Sequence, residues 1–263
     1  MRRLAGRARE GRGFTLKTTG RLKTKTAIRR AFEILMRRPD ARAAASVARP
    51  ADQVRIVGGA VRDAFLGATG GDLDLVAPPG RAEPLAWALA RHVGTRVIAV
   101  GAAPKRTLKV PFHAHEIDIW EETGDSLADL LRRDFTVNAL SFSLPDGTFA
   151  SAPGALADLR AGRLAPPRPG VFLEDPLRVL RAARFLAERP AFHVARRAMQ
   201  ELREAGNFLG GVKEERRLVE LDKLLGAPAP GRMRALRFLE RTGALSILLL
   251  STAERERRRG LAL

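Results

Sequence analysis

The sequence predicts an α+β fold, a small mixed sheet backed by helices and followed by a purely helical region. Three observations lead there. A strand–turn–helix–strand unit occupies Val54 to Val76 (VRIVGGAVRDAFLGATGGDLDLV), alternating strand patterns continue to about Trp120, and from Glu174 onward the apolar spacing is helical. The 263 residues are 45% hydrophobic, enough for one large or two modest cored domains. There is no apolar run near 18 residues, so no membrane span is expected. The absence of cysteine excludes disulfides, thiolate catalysis and zinc–cysteine sites and fits a reducing cytoplasm.

In chain order, residues 1 to 25 read as disordered. Ala27 to Arg37 carries Ile28, Phe32 and Leu35 at helical spacing and stops at Pro39, and Ala41 to Ala48 forms a second short helix. The first 50 residues hold 15 Lys and Arg against 3 acids, so +12 of the +18 net charge lies there. That excess is either a basic arm gripping RNA phosphates or a solvated extension. Val54, Ile56 and Val57 then form a buried strand, Gly58-Gly59 a tight turn, Ala60 to Leu66 a short helix, and Leu73 to Val76 a second strand. Glu83 to His92 is a helix, Arg96 to Val100 a strand, and Thr107 to Val110 with His115 to Trp120 a hairpin pair. Ser126 to Leu131 is helical and leads into RRDFTVNALSF. Asp175 at N-cap with Pro176 at the first helical position opens a helix reaching Glu188. Gly211 to Leu225 and Gly231 to Leu250 supply further helices.

Asp72 and Asp74 stand at i and i+2, so their carboxylates project from one face of the second strand. Two such acids repel unless a cation joins them, and hard oxygen donors suit a divalent ion such as magnesium. The Gly-Gly turn lets backbone approach a ligand closely, and the amides of the following helix favour a phosphate. Together they predict a metal–triphosphate site. In HEIDIW, Glu116, Asp118 and Trp120 share one face, so either acid could join the pair. Arg132 and Arg133 supply forked donors for a triphosphate, with Asp134 and Asn138 placed to orient them or to bind ribose hydroxyls.

On Gly58, Gly59, Val61, Arg62, Asp63, Leu66, Gly67, Asp72 and Asp74 the chain resembles the tRNA nucleotidyltransferases of the bacterial and eukaryotic type, the CCA-adding enzymes, together with the bacterial poly(A) polymerases. Arg132, Arg133, Asp134 and Asn138 match that family's RRDxTxNA motif, and Glu174 to Phe185 matches EDxxRxxRxxRF through Asp175, Arg178, Arg181 and Arg184. Between them, Asp158, Leu159, Gly162 and Leu164 are kept, but Ser151 and Ala155 stand where Asp and Gly are usual. Glu215 and Arg216 match a later helix. The resemblance covers about residues 50 to 250.

It implies a polymerase-β-like nucleotidyltransferase head at 51–165, a helical neck at 166–212 and a partial helical body at 213–263, behind a partly disordered basic extension at 1–50. The implied activity is template-independent addition of C and/or A to a tRNA 3′ end (CCA addition) from CTP and ATP, with magnesium on Asp72 and Asp74 and a third acid on a neighbouring strand, taken as Asp118. A poly(A) polymerase, a CC-only or A-only specialist and a catalytically inactive RNA-binding remnant are the alternatives. Gly59, Arg62 and Arg133 would hold the triphosphate and ribose. Asp175 and Arg178 would read the base, supported by Arg181 and Arg184. The chemistry of the bases agrees. Cytosine and adenine both present an amino donor beside a ring-nitrogen acceptor, the complement of a carboxylate that only accepts and a guanidinium that only donates. Poly(A) polymerases usually carry G-R-R-F where this chain reads Gly101 to Arg106, which argues against that branch. Relatives normally continue into a longer RNA-holding tail, so a second subunit or oligomer supplying it is a further expectation.

Overall fold

The computed structural model describes residues 18–102, 106–144 and 146–250. Its centre is a seven-stranded mixed sheet of order β3-β4-β5-β2-β1-β6-β7. The strands are β1 (Arg55–Val57), β2 (Leu73–Ala77), β3 (Ile98–Val100), β4 (Thr107–Phe112), β5 (His115–Glu121), β6 (Leu140–Ser143) and β7 (Phe149–Ser151). Within this sheet, among the described residues, β2 and β5 pair in parallel and the other pairings are antiparallel. The parallel pair needs a crossover, which α4 (Ala82–Val93) opens.

The five strands expected from alternation are present. β6 and β7 are additional, so the sheet is larger than predicted. β6 pairs with β1 inside the sheet, and Leu140, Ser141 and Phe142 are all buried, so no period of two marks it as a strand. Its Phe142 instead meets Phe32, Phe65 and Phe149 at ring-centroid distances of 5.3, 6.0 and 5.2 Å.

Residues 18–48 are largely helical and contribute to the core. Helix α1 (Thr18–Leu35) starts well before Ala27, and α2 (Pro39–Val47) follows it. Ala31, Ile34, Leu35, Ala41, Ala43, Ala44 and Ala48 lie in the main hydrophobic core, which orders this basic segment by burying one of its faces. The notion of a disordered arm before residue 18 falls outside the described residues.

Helix α5 (Ser126–Leu131) lies between β5 and β6; after β7 come α6 (Ala155–Ala161), α7 (Val171–Glu174), α8 (Arg178–Glu188), α9 (Arg196–Gly206), α10 (Glu214–Leu225) and α11 (Ala229–Arg241). Strand β8 (Arg163–Leu164), at the end of the head, and β9 (His193–Val194), between the neck helices, form a two-residue parallel pair. Helix α8 is buried through Val179, Leu180, Ala182, Ala183, Phe185 and Leu186. Helix α11 packs against it at Gly231, where any Cβ would overlap the Ala187 carbonyl. The start of α8 also differs from expectation. Residues 175–177 form a tighter turn, with Arg178 N–H donating to the Asp175 carbonyl at 3.0 Å and Val179 N–H to Pro176 at 3.1 Å. Leu177 rather than Asp175 occupies the helical N-cap, although Asp175 Oδ1 still accepts the Leu177 amide at 3.3 Å.

Among the described residues no helix is long and apolar enough to cross a membrane.

Candidate active site

Register builds the site. Asp74 on β2 lies directly beside Asp118 on β5 and beside Val57 on β1. In β5 the faces alternate, Ile117 and Ile119 being fully buried while Glu116, Asp118 and Trp120 are only half-buried, and Lys109 of β4 lies opposite Asp118. One face of β2 and β5 thus carries the acids, with Lys109 of β4 beside them, and the other faces the core. Asp72 precedes β2 by one residue, and its Oδ1 accepts the Glu116 amide at 3.2 Å.

Because Val57 pairs with Asp74, the next residue, Gly58, arrives beside that carboxylate. Gly58 turns the chain at φ +73° into α3 (Gly59–Phe65). A Cβ at Gly58 would lie 3.3 Å from Asp74 Oδ2 and 3.7 Å from an Arg133 terminal nitrogen. Gly58→Ala should therefore cost about 1 kcal/mol in stability from the positive φ and, by crowding both groups, lower catalysis more than stability alone explains. Thermal unfolding measured alongside steady-state kinetics separates the two effects.

The charges are strongly coupled. Burial, opposed by Arg133 but reinforced by Asp118 and Asp72, pushes the Asp74 carboxyl up to about 6. Burial also raises Asp118, despite Lys109 Nζ at 3.1 Å, with Glu116 and Asp72 adding to the rise. Lys109 also bonds Glu116 and is itself shifted upward by the two acids against the effect of burial. The guanidinium of Arg133 bonds Asp129 at 2.8 Å and lies over the Trp120 ring at 5.2 Å, while its Nε is buried without a hydrogen-bond partner among the described residues.

This donor set fits a hard cation bound jointly with a ligand. Like charges that raise one another's protonation are stabilised by a divalent ion, and magnesium is commonly held by one or two carboxylates plus substrate phosphates. Among the described residues, no three acidic or histidine side chains close around one point as a complete cage.

The second motif forms a chain of bonds between sheet and neck. Asp134 is 6% exposed; its Oδ1 accepts the Phe135 amide at 2.8 Å and Asn138 Nδ2 at 2.9 Å, and its Oδ2 lies 2.8 Å from Arg181 Nε. Asn138 Oδ1 accepts from Arg62 at 2.6 Å, Arg62 pairs with Asp63 at 2.9 Å, and Asp63 takes Arg189 at 2.7 Å. The Arg62 guanidinium also lies 4.9 Å from the Phe185 ring centre, on α8. Burial alone would push Asp134 up, but Arg181 and these donors outweigh it and hold the carboxyl below the usual range.

Not every expected partnership forms. Arg132 donates to the Thr123 carbonyl rather than lying with Arg133. Arg178 donates to the carbonyls of Val171 at 2.7 Å and Arg132 at 2.6 Å, and Asp175 pairs with Arg216 at 2.8 Å. Arg181 and Arg184 do not brace that pair: Arg181 serves Asp134, and Arg184 takes Glu220 at 3.1 Å. Reading the sequence missed Lys109 and Trp120 as participants. The alternation of β4 and β5 put both on the acidic face, but alternation does not say which polar side chains meet.

An acidic sheet face, a glycine turn against it and an arginine beside that turn define a nucleotidyltransferase head. Residues 54–165 match the Poly A polymerase head domain. The "Multifunctional CCA protein" of Xanthomonas campestris is 34% identical over 229 residues, covering 75% of this chain and 50% of that protein. A "CC-adding tRNA nucleotidyltransferase" of Synechocystis is 34% identical over 179 residues, 67% of this chain and 42% of the relative. Among solved structures, the Thermotoga maritima CCA-adding enzyme complexed with tRNA superposes with a TM-score of 0.72 at 25% identity, covering 83% of this chain and 55% of that one. Residues 54–165 thus belong to the Poly A polymerase head family, a nucleotidyltransferase family whose members generally use divalent metal ions. It spans about half the length of the curated relatives it matches.

Proposed function

We propose that this protein adds C and A to the 3′ end of tRNA, using CTP and ATP and releasing pyrophosphate, with magnesium on Asp72 and Asp74. The observation that carries this reading is the in-register placement of Asp74 beside Asp118, with Gly58 directly against Asp74 and the Arg133 guanidinium beside that glycine turn. Magnesium bound there would supply the positive charge that acidifies the RNA 3′-hydroxyl and neutralises the triphosphate. The chain's own groups do the rest. Arg133, with its unpartnered Nε, holds the triphosphate, and Gly58 admits it close to backbone. Arg62, fixed by Asp63 and Asn138, lines the ribose side. Asp175 and Arg178 at the head–neck junction read the base edge, exchanging their present partners Arg216 and the Val171 carbonyl for the nucleotide. The 3′-oxygen bonds to the α-phosphorus as the bond from that phosphorus to the bridging oxygen breaks, and pyrophosphate leaves in line. The domains proposed are a head at 51–165, a neck at 166–212 and a partial body at 213–263, acting in the cytoplasm.

Addition of CC alone is the second reading, favoured by the similarity to the Synechocystis CC-adding relative. The test is incubation of the purified protein and magnesium with tRNA lacking CCA, offering each labelled nucleotide in turn, with Arg178→Ala as control. Two C and one A are expected, and Arg178→Ala should admit UTP or GTP. Two C without A selects the second reading, long A tracts mean a poly(A) polymerase, and no incorporation of any nucleotide overturns the proposal.

A further inference from the structure

The acidic strands are braced from outside the site by one buried ionic node. Arg38, in the turn between α1 and α2, is 6% exposed and Asp40 only 1%. Arg38 grips Asp40 through two bonds, Nε to Oδ1 at 3.0 Å and Nη2 to Oδ2 at 2.6 Å. The remaining donors reach the loop ahead of Asp72, Nη1 to the Gly70 carbonyl and Nη2 to the Gly71 carbonyl, both at 2.7 Å. Gly70 at φ 153° and Gly71 at φ 70° adopt backbone that side-chain-bearing residues rarely do. On its other side Asp40 Oδ2 meets His115 Nε2 at 2.9 Å, at the start of β5 and one residue before Glu116, whose amide holds Asp72. Burial alone would push Asp40 up, but Arg38 and His115 hold its carboxyl below the usual range, so the node is anchored by a charge.

A surface cation meant for RNA would not be spent this way. Arg38 belongs by sequence to the basic N-terminal run, yet it is sealed from solvent and satisfied by one carboxylate and two carbonyls. We infer that Arg38 is a positioning residue: with Asp40 and His115 it clamps the Gly70-Gly71 loop to the start of β5 and so sets where the Asp72 carboxylate stands relative to Asp74 and Asp118. The inference rests on the metal reading of that site. Outer partners that orient ligands commonly change metal affinity 10- to 100-fold when lost.

The test uses Arg38→Met/Asp40→Leu, because replacing both members of a buried ion pair by apolar side chains often leaves stability intact, whereas removing one does not. Two readouts are taken on the full chain: Mn²⁺ affinity by electron paramagnetic resonance, and hydrogen exchange of peptides spanning 67–76. The double variant is expected to keep its Tm within about 4 °C, to bind Mn²⁺ at least about 10-fold more weakly, and to exchange faster at 67–72. Raised magnesium should restore its turnover, and KM for CTP should stay unchanged. Arg38→Lys, which keeps the charge but not the fork, should show a smaller shift of the same sign and decides the matter if the double variant fails to fold. Wild-type Mn²⁺ affinity and wild-type exchange in a folded variant overturn the clamp. If the wild-type protein itself binds no Mn²⁺, the metal reading fails, and exchange at 67–72 alone decides whether Arg38 holds the loop.

Discussion

Asp74→Asn should abolish nucleotide addition, lowering kcat by roughly 100- to 1000-fold or more, while the protein folds as well as or better than the wild type. The two outcomes share a cause. Asp74 is largely buried, beside Asp118 and near Asp72, and its carboxyl is pushed up to about 6 because the charged form is disfavoured there. An amide of the same shape removes that repulsion, so in metal-free buffer at pH 8 its Tm should equal or exceed that of the wild type. The same amide is a far weaker partner for a divalent ion. Arrested addition without loss of Tm marks a carboxylate kept for chemistry; a large fall in Tm would make Asp74 a structural residue and remove the central support of the proposed function.

Asp134→Ala should give the opposite pattern, a loss of about 3–5 kcal/mol of stability in denaturant unfolding. Asp134 is the hub joining sheet to neck: its removal leaves Arg181 without its carboxylate, Asn138 without its acceptor and the Phe135 amide unmatched. Asp134→Asn should fall between, keeping shape and an acceptor but not the charge. The sign of the pH dependence follows from the direction of its shift. Because the folded carboxyl is held below its ordinary value, the contribution is complete above the unfolded value and is lost as pH falls through the folded one. The gap between wild type and Asp134→Ala should stay constant from neutral pH to about 5 and narrow only below about 4. A gap of under about 1 kcal/mol would mean that water or a neighbour replaces the carboxylate.

The two variants show how far the sequence carries. The i, i+2 spacing of Asp72 and Asp74 brings the two acids together, Asp74 within β2 and Asp72 one residue ahead of it, a local property of the backbone. Gly58 and Gly59 mark the turn, and alternation in HEIDIW puts Glu116, Asp118 and Trp120 on one side. These depend on neighbours within a few residues, and the structure contains them. β6 was not legible because an interior strand buried on both faces loses the alternation that signals one. Helix α1 was cut short because its basic composition resembles a solvated tail, whereas burial of Ala31, Ile34 and Leu35 decides that it is ordered.

The sequence by itself determined the chemistry available: three acids on adjoining strands, an arginine pair, an acid–arginine pair at a helix start, and a fold class to carry them. Only the tertiary structure decided which charge meets which. Arg133 goes to Asp129 and Arg132 to Thr123, Arg181 crosses from the neck to Asp134, Arg189 reaches Asp63, and Arg38 turns inward to Gly70 and Gly71. The reason is physical. Strand and helix periodicity arise from local backbone geometry and leave their mark in the order of residues, whereas ion pairs form between groups that packing brings together from distant parts of the chain, and 47 basic residues offer many equivalent partners to each of 29 acids.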